Sequence, residues 1–261
     1  MSQLLVVTGA NRGFGHAFTQ VYVESARARK EQICVVLIGR NEEALAALGE
    51  SLETLGASCV VLGSVDLANT STLPENLVRV NDALRKHPQS YSKAVFLQNA
   101  GSLGDLSKTV RQYDLSLVQK YFDFNVTSFS ILCSVFIEFI HEHSIPSSTI
   151  VNVSSLLAVQ AFPYWGLYAS AKSARDQLIR VIALEEKEHG IKTLSWAPGP
   201  LDNDMQQDVR STIGDEQQRS IYTNMHKERK LVDMKDSAKK LLTVLDSNDF
   251  ESGAHIDYYD V

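Results

Sequence analysis

The chain has 261 residues, 25 basic and 31 acidic side chains, a formal net charge of −6, and 44% apolar against 21% charged residues. That is the composition of a globular protein with a full core in one large domain. The acidic balance argues against a nucleic-acid binder, which needs a basic footprint, so an anionic ligand must be held by a local cluster. The basic run KERK (227–230) is short and followed by acids, and reads as a solvated helix face.

In chain order, MSQLLVVTGANRG has no charged segment leading into a long apolar stretch, so no signal peptide is expected. LLVVT (4–8) reads as a strand, followed by a helix over 13–30. ICVVLI (33–38) precedes NEEALAALGESLETLG, with Asn41 as helix cap and Gly56 as stop. CVVLGSV (59–65) leads to a helix ending near His87, and AVFLQ (94–98) to a helix from 115 that runs, with a break, to 143. The apolar run 131–140 is interrupted by Glu138 and too short to span a bilayer, so no membrane association is expected. TIVNVS (149–154) precedes a long helix over 164–189, and IKTLSWA (191–197) gives way to a polar helical stretch over 202–246. HIDYY (255–259) is the last strand. Cys34, Cys59 and Cys133 lie in apolar surroundings without a CxxC partner and read as free thiols of a reducing compartment, which makes a cytoplasmic location the expectation.

Seven strands separated by helices predict an α/β fold: a single Rossmann-type, doubly wound domain over 1–261, its sheet mainly parallel with helices on both faces. In such a sheet the ligand crevice opens at the C-terminal strand ends. The longest excursion between strands, 202–246, is a candidate substrate lid.

The first strand runs into TGANRGFG (8–15). Gly9, Gly13 and Gly15 let backbone amides approach a diphosphate at a helix N-terminus, with Asn11, Arg12 and Phe14 in the same turn. After the second strand, where an acid would accept from the 2′-hydroxyl of NAD, stand Arg40 and Asn41. Arg12 and Arg40 together suit a 2′-phosphate, which selects NADP(H). Asp66 and Leu67, past the third strand, are placed to meet the adenine.

The fourth and fifth strands end in QNAG (98–101) and VSS (153–155), and the next helix opens with YASAK. Tyr168 and Lys172 are four apart and share a helical face. A free tyrosine, with a pKa of about 10, is a poor acid at neutral pH. A neighbouring ammonium, together with a nicotinamide ribose, is expected to lower that value toward the working range, and Ser155 would hydrogen-bond the carbonyl that Tyr168 protonates.

With TGANRGFG, QNAG, FDFNVTS, VNVSS, YASAK and APGPLDNDM in order along nearly its whole length, the chain resembles the short-chain dehydrogenase/reductase family. The resemblance implies a catalytic tetrad of Asn125, Ser155, Tyr168 and Lys172, with Asn125 kinking its helix and holding a water that relays protons through Lys172. It implies cofactor contacts from Asn99, Ala100, Gly101 and Lys172, and from Leu201 and Met205 closing over the nicotinamide end. It also implies a homodimer through the long helices after strands four and five. Gln98 departs from the Asn common in the family, and Asn99 is expected to keep the motif's polar anchor.

Outside the shared motifs, NAGSLGDLSK (99–108), WGLYASAKSARDQ (165–177), KLVD (230–233) and SGAHIDYYD (252–260) resemble a branch of the family that reduces side-chain carbonyls of pterins in tetrahydrobiopterin synthesis. That likeness implies a substrate site of Ser155, Leu156, Tyr168, Gly199 and Asp257. One carboxylate, Asp257 on the last strand, would accept from a pterin's 2-amino group and adjacent ring N–H. A broad carbonyl reductase acting on dicarbonyls is the alternative, and there Asp257 would hardly matter. Tyr164, Trp165 and Trp196 are apolar-wall residues without an assigned role. The histidines 16, 87, 141, 143, 189, 226 and 255 are scattered, and His141 and His143, two apart, do not share a helical face, so no metal site is expected.

Overall fold

The computed structural model describes residues 2–86 and 90–261. Seven strands form one sheet: β1 (Ser2–Thr8), β2 (Gln32–Ile38), β3 (Ser58–Leu62), β4 (Lys93–Gln98), β5 (Ser148–Val153), β6 (Ile191–Ala197) and β7 (Ala254–Asp257). Their spatial order is β3-β2-β1-β4-β5-β6-β7, and every neighbouring pair is parallel. The order reverses between β1 and β4, and at that switch point the C-terminal strand ends leave a crevice.

The strands are buried on both faces because helices cover both. Along β1, Leu5 and Val7 enter one core and Leu4 and Val6 the other. The first core is closed by α1 (Gly13–Ala28), α2 (Glu42–Thr54) and α9 (Met234–Ser247). The second is closed by α3 (Leu73–Arg85), α5 (Ser128–His143) and α6 (Gly166–Glu185). Burial of one such side chain is worth about 1.5–3 kcal/mol, against a spread of ~1 kcal/mol in strand propensity, so packing on two faces fixes these runs as strands. The expected end of the third helix near His87 lies outside the described residues.

The helix after β4 is two helices, α4 (Leu115–Phe122) and α5, joined by a π-helical turn over Asp123–Thr127 that contains Asn125. This is the break expected from the sequence. The helical run Leu115–His143 is, by length and composition, long and apolar enough to cross a membrane, which the reading of 131–140 alone missed. Its buried residues Phe129, Leu132, Phe136 and Phe139 pack instead into the second core.

The stretch 202–246 divides into α7 (Asp204–Thr212), α8 (Glu216–Lys227) and α9. Helix α9 buries Ala238, Leu241, Leu242 and Leu245 in the first core and is no part of a lid. Only α7 and α8 remain for that role. The last strand is also shorter than expected: it stops at Asp257, whose side chain caps a 3₁₀ turn over Tyr258–Asp260.

Candidate active site

A cleft of about 970 Å³ opens along the C-terminal strand ends, from the glycine turn after β1 to the end of β7. Gly9, with φ +66°, ends β1, and its N–H donates to the Ile38 carbonyl at 2.8 Å. The turn is bolted to β4 by Asn99, whose side-chain amide donates to the carbonyls of Thr8 (3.1 Å) and Gly9 (3.0 Å). The Thr8 hydroxyl accepts in turn from the N–H groups of Asn99 and Ala100. A Cβ on Gly15 would lie 2.6 Å from the Asn99 amide nitrogen. Gly15 therefore makes room for this joint and, unlike Gly9, Asn11, Arg12, Gly13 and Phe14, does not line the cleft. The departure at Gln98 is tolerated because its buried amide donates to the Phe129 carbonyl and the Cys133 sulfur, both at 3.0 Å.

At the end of β2 the cleft wall carries Arg40, while Asn41 faces away and caps α2, accepting from Ala44 N–H at 3.0 Å. Asn41 therefore has a capping role and does not line the cleft. The nearest acid, Glu42, accepts from the Ser64 hydroxyl at 3.2 Å and also stays out of the cleft. Across from Arg40, Arg12 pairs with Asp204 at 3.1 Å, with both side chains exposed. Asp66, Leu67, Asn99, Ala100, Gly101, Leu201 and Met205 line the cleft as expected. The amide-lined turn at the start of α1 and the two guanidinium groups fit a phosphorylated dinucleotide.

Ser155, Leu156, Tyr168, Lys172, Gly199 and Asp257 all border the same cleft. The Lys172 ammonium donates to the Val153 carbonyl at 2.6 Å and lies 5.5 Å from the centre of the Tyr168 ring. Burial dominates both groups. It drives the Lys172 pKa well below its ordinary value, with the Arg175 charge acting in the same direction. It raises Tyr168 to about 12, opposed by a hydrogen bond with Ser155 and by Arg175. Without the cofactor, desolvation is the largest influence on Tyr168. Asn125 is buried behind the site. Its Oδ1 accepts from Ser102 N–H at 2.9 Å and its Nδ2 donates to the Tyr121 carbonyl at 2.9 Å, tying the π-turn to the loop after β4.

Two buried neighbours of the site were not read from the sequence. Arg175, 1% exposed, donates to the carbonyls of Gln98 (2.8 Å) and Ala100 (3.2 Å). Asp176 accepts from Ser154 (2.6 Å), Asn152 (2.9 Å) and the imidazole of His255 (2.6 Å), and these hydrogen bonds hold its carboxyl below the usual range against the effect of burial. The signal was present: Arg175 and Asp176 follow Tyr168 by seven and eight positions, on the helical face that Lys172 shares. Of the aromatics left unassigned, Trp165 lines the cleft, packing edge-on to Tyr168 at 5.4 Å and donating to Gln218 of α8 at 2.6 Å. Trp196 is core, and Tyr164 stays out of the cleft.

The family model for short-chain dehydrogenases matches residues 3–214. The chain belongs to the short-chain dehydrogenase/reductase family and is an oxidoreductase of that class, whose members use a nicotinamide dinucleotide. It is similar to the sepiapterin reductases of Rattus norvegicus, at 39% identity over 98% of this chain and 96% of the relative, and of Bos taurus, at 40% identity over 98% and 94%. It is more distantly similar to a Bacillus cereus benzil reductase that forms (S)-benzoin, at 24% identity over 95% and 96%. Among solved structures, an angucycline C-6 ketoreductase with bound NADP superposes with a TM-score of 0.76 at 18% identity, covering 99% of this chain and 96% of that one, a likeness of fold.

Proposed function

We propose that this protein reduces side-chain carbonyls of pterins, such as sepiapterin and 6-pyruvoyl-tetrahydropterin, with NADPH, as in the last steps of tetrahydrobiopterin synthesis. The observation that carries this reading is the placement of Asp257 on the wall of the cleft that also holds Tyr168 and Ser155. Its Oδ1 accepts from Tyr259 N–H at 3.0 Å, which fixes the carboxylate and leaves acceptor capacity for a donor pair. The similarity to sepiapterin reductases over nearly the full length supports it.

NADPH, when bound, supplies the hydride. The glycine turn would hold its diphosphate and Arg12 and Arg40 its 2′-phosphate, and the withdrawal of Glu42 from the cleft supports the phosphorylated cofactor. Asp257 anchors the ring, Ser155 hydrogen-bonds the carbonyl oxygen, and Tyr168 delivers the proton to that oxygen. At neutral pH Tyr168 is the protonated acid, because burial raises its pKa to about 12. Lys172 and Asn125 continue the proton path that the family pattern implies. In the cell we place the protein in the cytoplasm as a homodimer formed through α4, α5 and α6.

A dicarbonyl-reductase reading is favoured by the similarity to the benzil reductase and by exposed apolar side chains on the cleft rim, Leu156, Val159 and Phe162. NADPH oxidation by wild type, Asp257→Ala and Tyr168→Phe, with sepiapterin and with benzil, separates the two. The expected outcome is a loss of about 10²–10⁴-fold with both substrates in Tyr168→Phe. Asp257→Ala should raise KM for sepiapterin while sparing benzil. A wild type that ignores sepiapterin but reduces benzil leaves the dicarbonyl reading. In the same assay NADH is the poorer donor, and Arg40→Ala narrows that preference.

A further inference from the structure

The fold assembles a group of ligating side chains far from the cleft. His141 stands in the last turn of α5, Glu186 is the residue that ends α6, and His189 sits in the 3₁₀ turn over Lys187–His189 that leads into β6. The Nε2 atom of His141 lies 2.6 Å from Oε2 of Glu186, and Nδ1 of His189 lies 3.3 Å from the same oxygen. The two imidazole rings are 4.5 Å apart between centres. All three ligand atoms fall within 4.8 Å of one another. The histidine side chains are 38% and 55% exposed and that of Glu186 is 14% exposed, so the carboxylate is held firmly between two accessible imidazoles.

We infer that His141, Glu186 and His189 form a binding site for a divalent transition-metal cation, with zinc as the preferred ion. Two imidazole nitrogens and one carboxylate oxygen are a borderline donor set, which suits Zn²⁺ and disfavours Ca²⁺ or Mg²⁺, whose sites are built from oxygen. Metal–ligand distances of about 2.0–2.2 Å put the donor atoms of a tetrahedral site roughly 3.4 Å apart. Two of the spacings, 2.6 and 3.3 Å, lie just below that value and the third is no more than 4.8 Å, so small side-chain rotations at the surface bring all three onto one ion. Solvent exposure leaves the fourth position to water.

The site would act as a clamp. It joins the C-terminal end of α5, which begins at the π-turn of Asn125, to the C-terminal end of α6, which carries Tyr168 and Lys172 in its first two turns. Its members are 45 and 3 residues apart in sequence, a spacing no linear metal motif would show.

The test uses the full chain without a histidine affinity tag. Titration calorimetry with ZnCl₂ is compared for wild type, His141→Ala, His189→Ala, the double variant, and Cys59→Ser as a control for the partly exposed thiol. One equivalent is expected in wild type and in Cys59→Ser. Each single histidine variant should weaken binding by at least about tenfold, the loss ordinarily seen even for outer-shell partners of a metal. Zinc should raise the unfolding temperature of wild type but not of the double variant, and Co²⁺ should give tetrahedral visible absorption bands that the double variant lacks. Turnover without added metal should be unchanged in the histidine variants. Absence of binding, or equal zinc affinity and stoichiometry in the double variant, would overturn the proposal.

Discussion

At Tyr168 two influences compete, and the winner could not be read from the sequence. Spacing places Lys172 one helical turn away, and an ammonium there favours the phenolate. The fold buries both groups, however, and desolvation is the largest influence on each: Tyr168 goes up to about 12 and Lys172 goes down. What opposes the rise is the hydrogen bond with Ser155 and the field of Arg175. In the proposed mechanism reduction uses the protonated tyrosine and alcohol oxidation the phenolate, so the two directions should respond differently to a further rise. In Ser155→Ala the pKa of Tyr168 rises, and the alkaline midpoint of the oxidation rate should move to higher pH. The rate of reduction near neutrality should instead fall through the lost hydrogen bond to the carbonyl. Steady-state pH profiles in both directions check this, and an unmoved oxidation midpoint would remove Ser155 from the control of Tyr168. The sequence motifs brought Gly9, Ser155 and Asp257 to the cleft wall, whereas Asn41 and Gly15 do not line it, because whether a cap or a first-turn helix residue reaches the cleft depends on which way it turns.

The last strand shows how an element can be misread while its outcome survives. HIDYY carries the strand formers Ile256, Tyr258 and Tyr259, yet the chain leaves the sheet at Asp257, a residue type depleted in strands. Asp257 and Asp260 form a reciprocal cap, with Asp260 accepting from Asp257 N–H at 2.9 Å, and this turns Tyr258–Asp260 into a 3₁₀ helix. The alternation assumed from the sequence still held over 255–257, so His255 and Asp257 reach the same side of the sheet. There His255 meets Asp176 of α6, and this pair ties the edge strand to the helix that carries Tyr168. Asp176 is 3% exposed, and leaving its buried donors without an acceptor costs about 1–3 kcal/mol. Asp176→Asn should therefore lower unfolding stability by about that amount in urea at pH 7. Because the folded-state pKa of Asp176 lies below 3.8, its contribution is present above that pH and is lost as pH falls through the folded value. The stability deficit of the variant should thus shrink in strong acid. A deficit that stays constant between pH 7 and pH 2 would show that the ionised carboxylate is not what binds β7 to α6.

Across the whole molecule, the alternation of strands and helices made the doubly wound sheet legible, because a parallel sheet needs helices on both faces and its strands then read as unbroken apolar runs. What the alternation could not show is how firmly each helix is held. The stretch 202–246 reads as uniformly polar, but it contains two kinds of helix. In α9, Ser237, Ala238, Leu241, Leu242, Val244 and Leu245 are buried, and the Ser237 hydroxyl donates to the Pro198 carbonyl at 3.0 Å. In α7 only Gln206 and Val209 are buried, and in α8 only Gln218. Their hold on the body is a small cluster of Leu106, Leu157, Trp165, Val209 and Ile213, with Tyr222 edge-on to Trp165, together with hydrogen bonds from Trp165 to Gln218, from Gln218 to the Pro163 carbonyl and from Gly214 N–H to the Leu106 carbonyl, and the exposed Arg12–Asp204 pair. Exposed ion pairs add roughly 0–1 kcal/mol, so little besides the cluster keeps α7 and α8 closed over the cleft. Local opening free energies follow buried contact, and lids are drawn from the low end of that range. Native-state hydrogen exchange should therefore show the amides of α8 exchanging through local opening, at a free energy well below that of β4, β5 and α9, which should open only with global unfolding. Saturating NADPH should slow α7, because Met205 and Leu201 border the cofactor end of the cleft, and Gln218→Ala should speed α8 while leaving α9 unchanged. Protection of α8 equal to that of α9 would mean that α7 and α8 are fixed walls of the cleft, and substrate would then have to enter along the open β7 side.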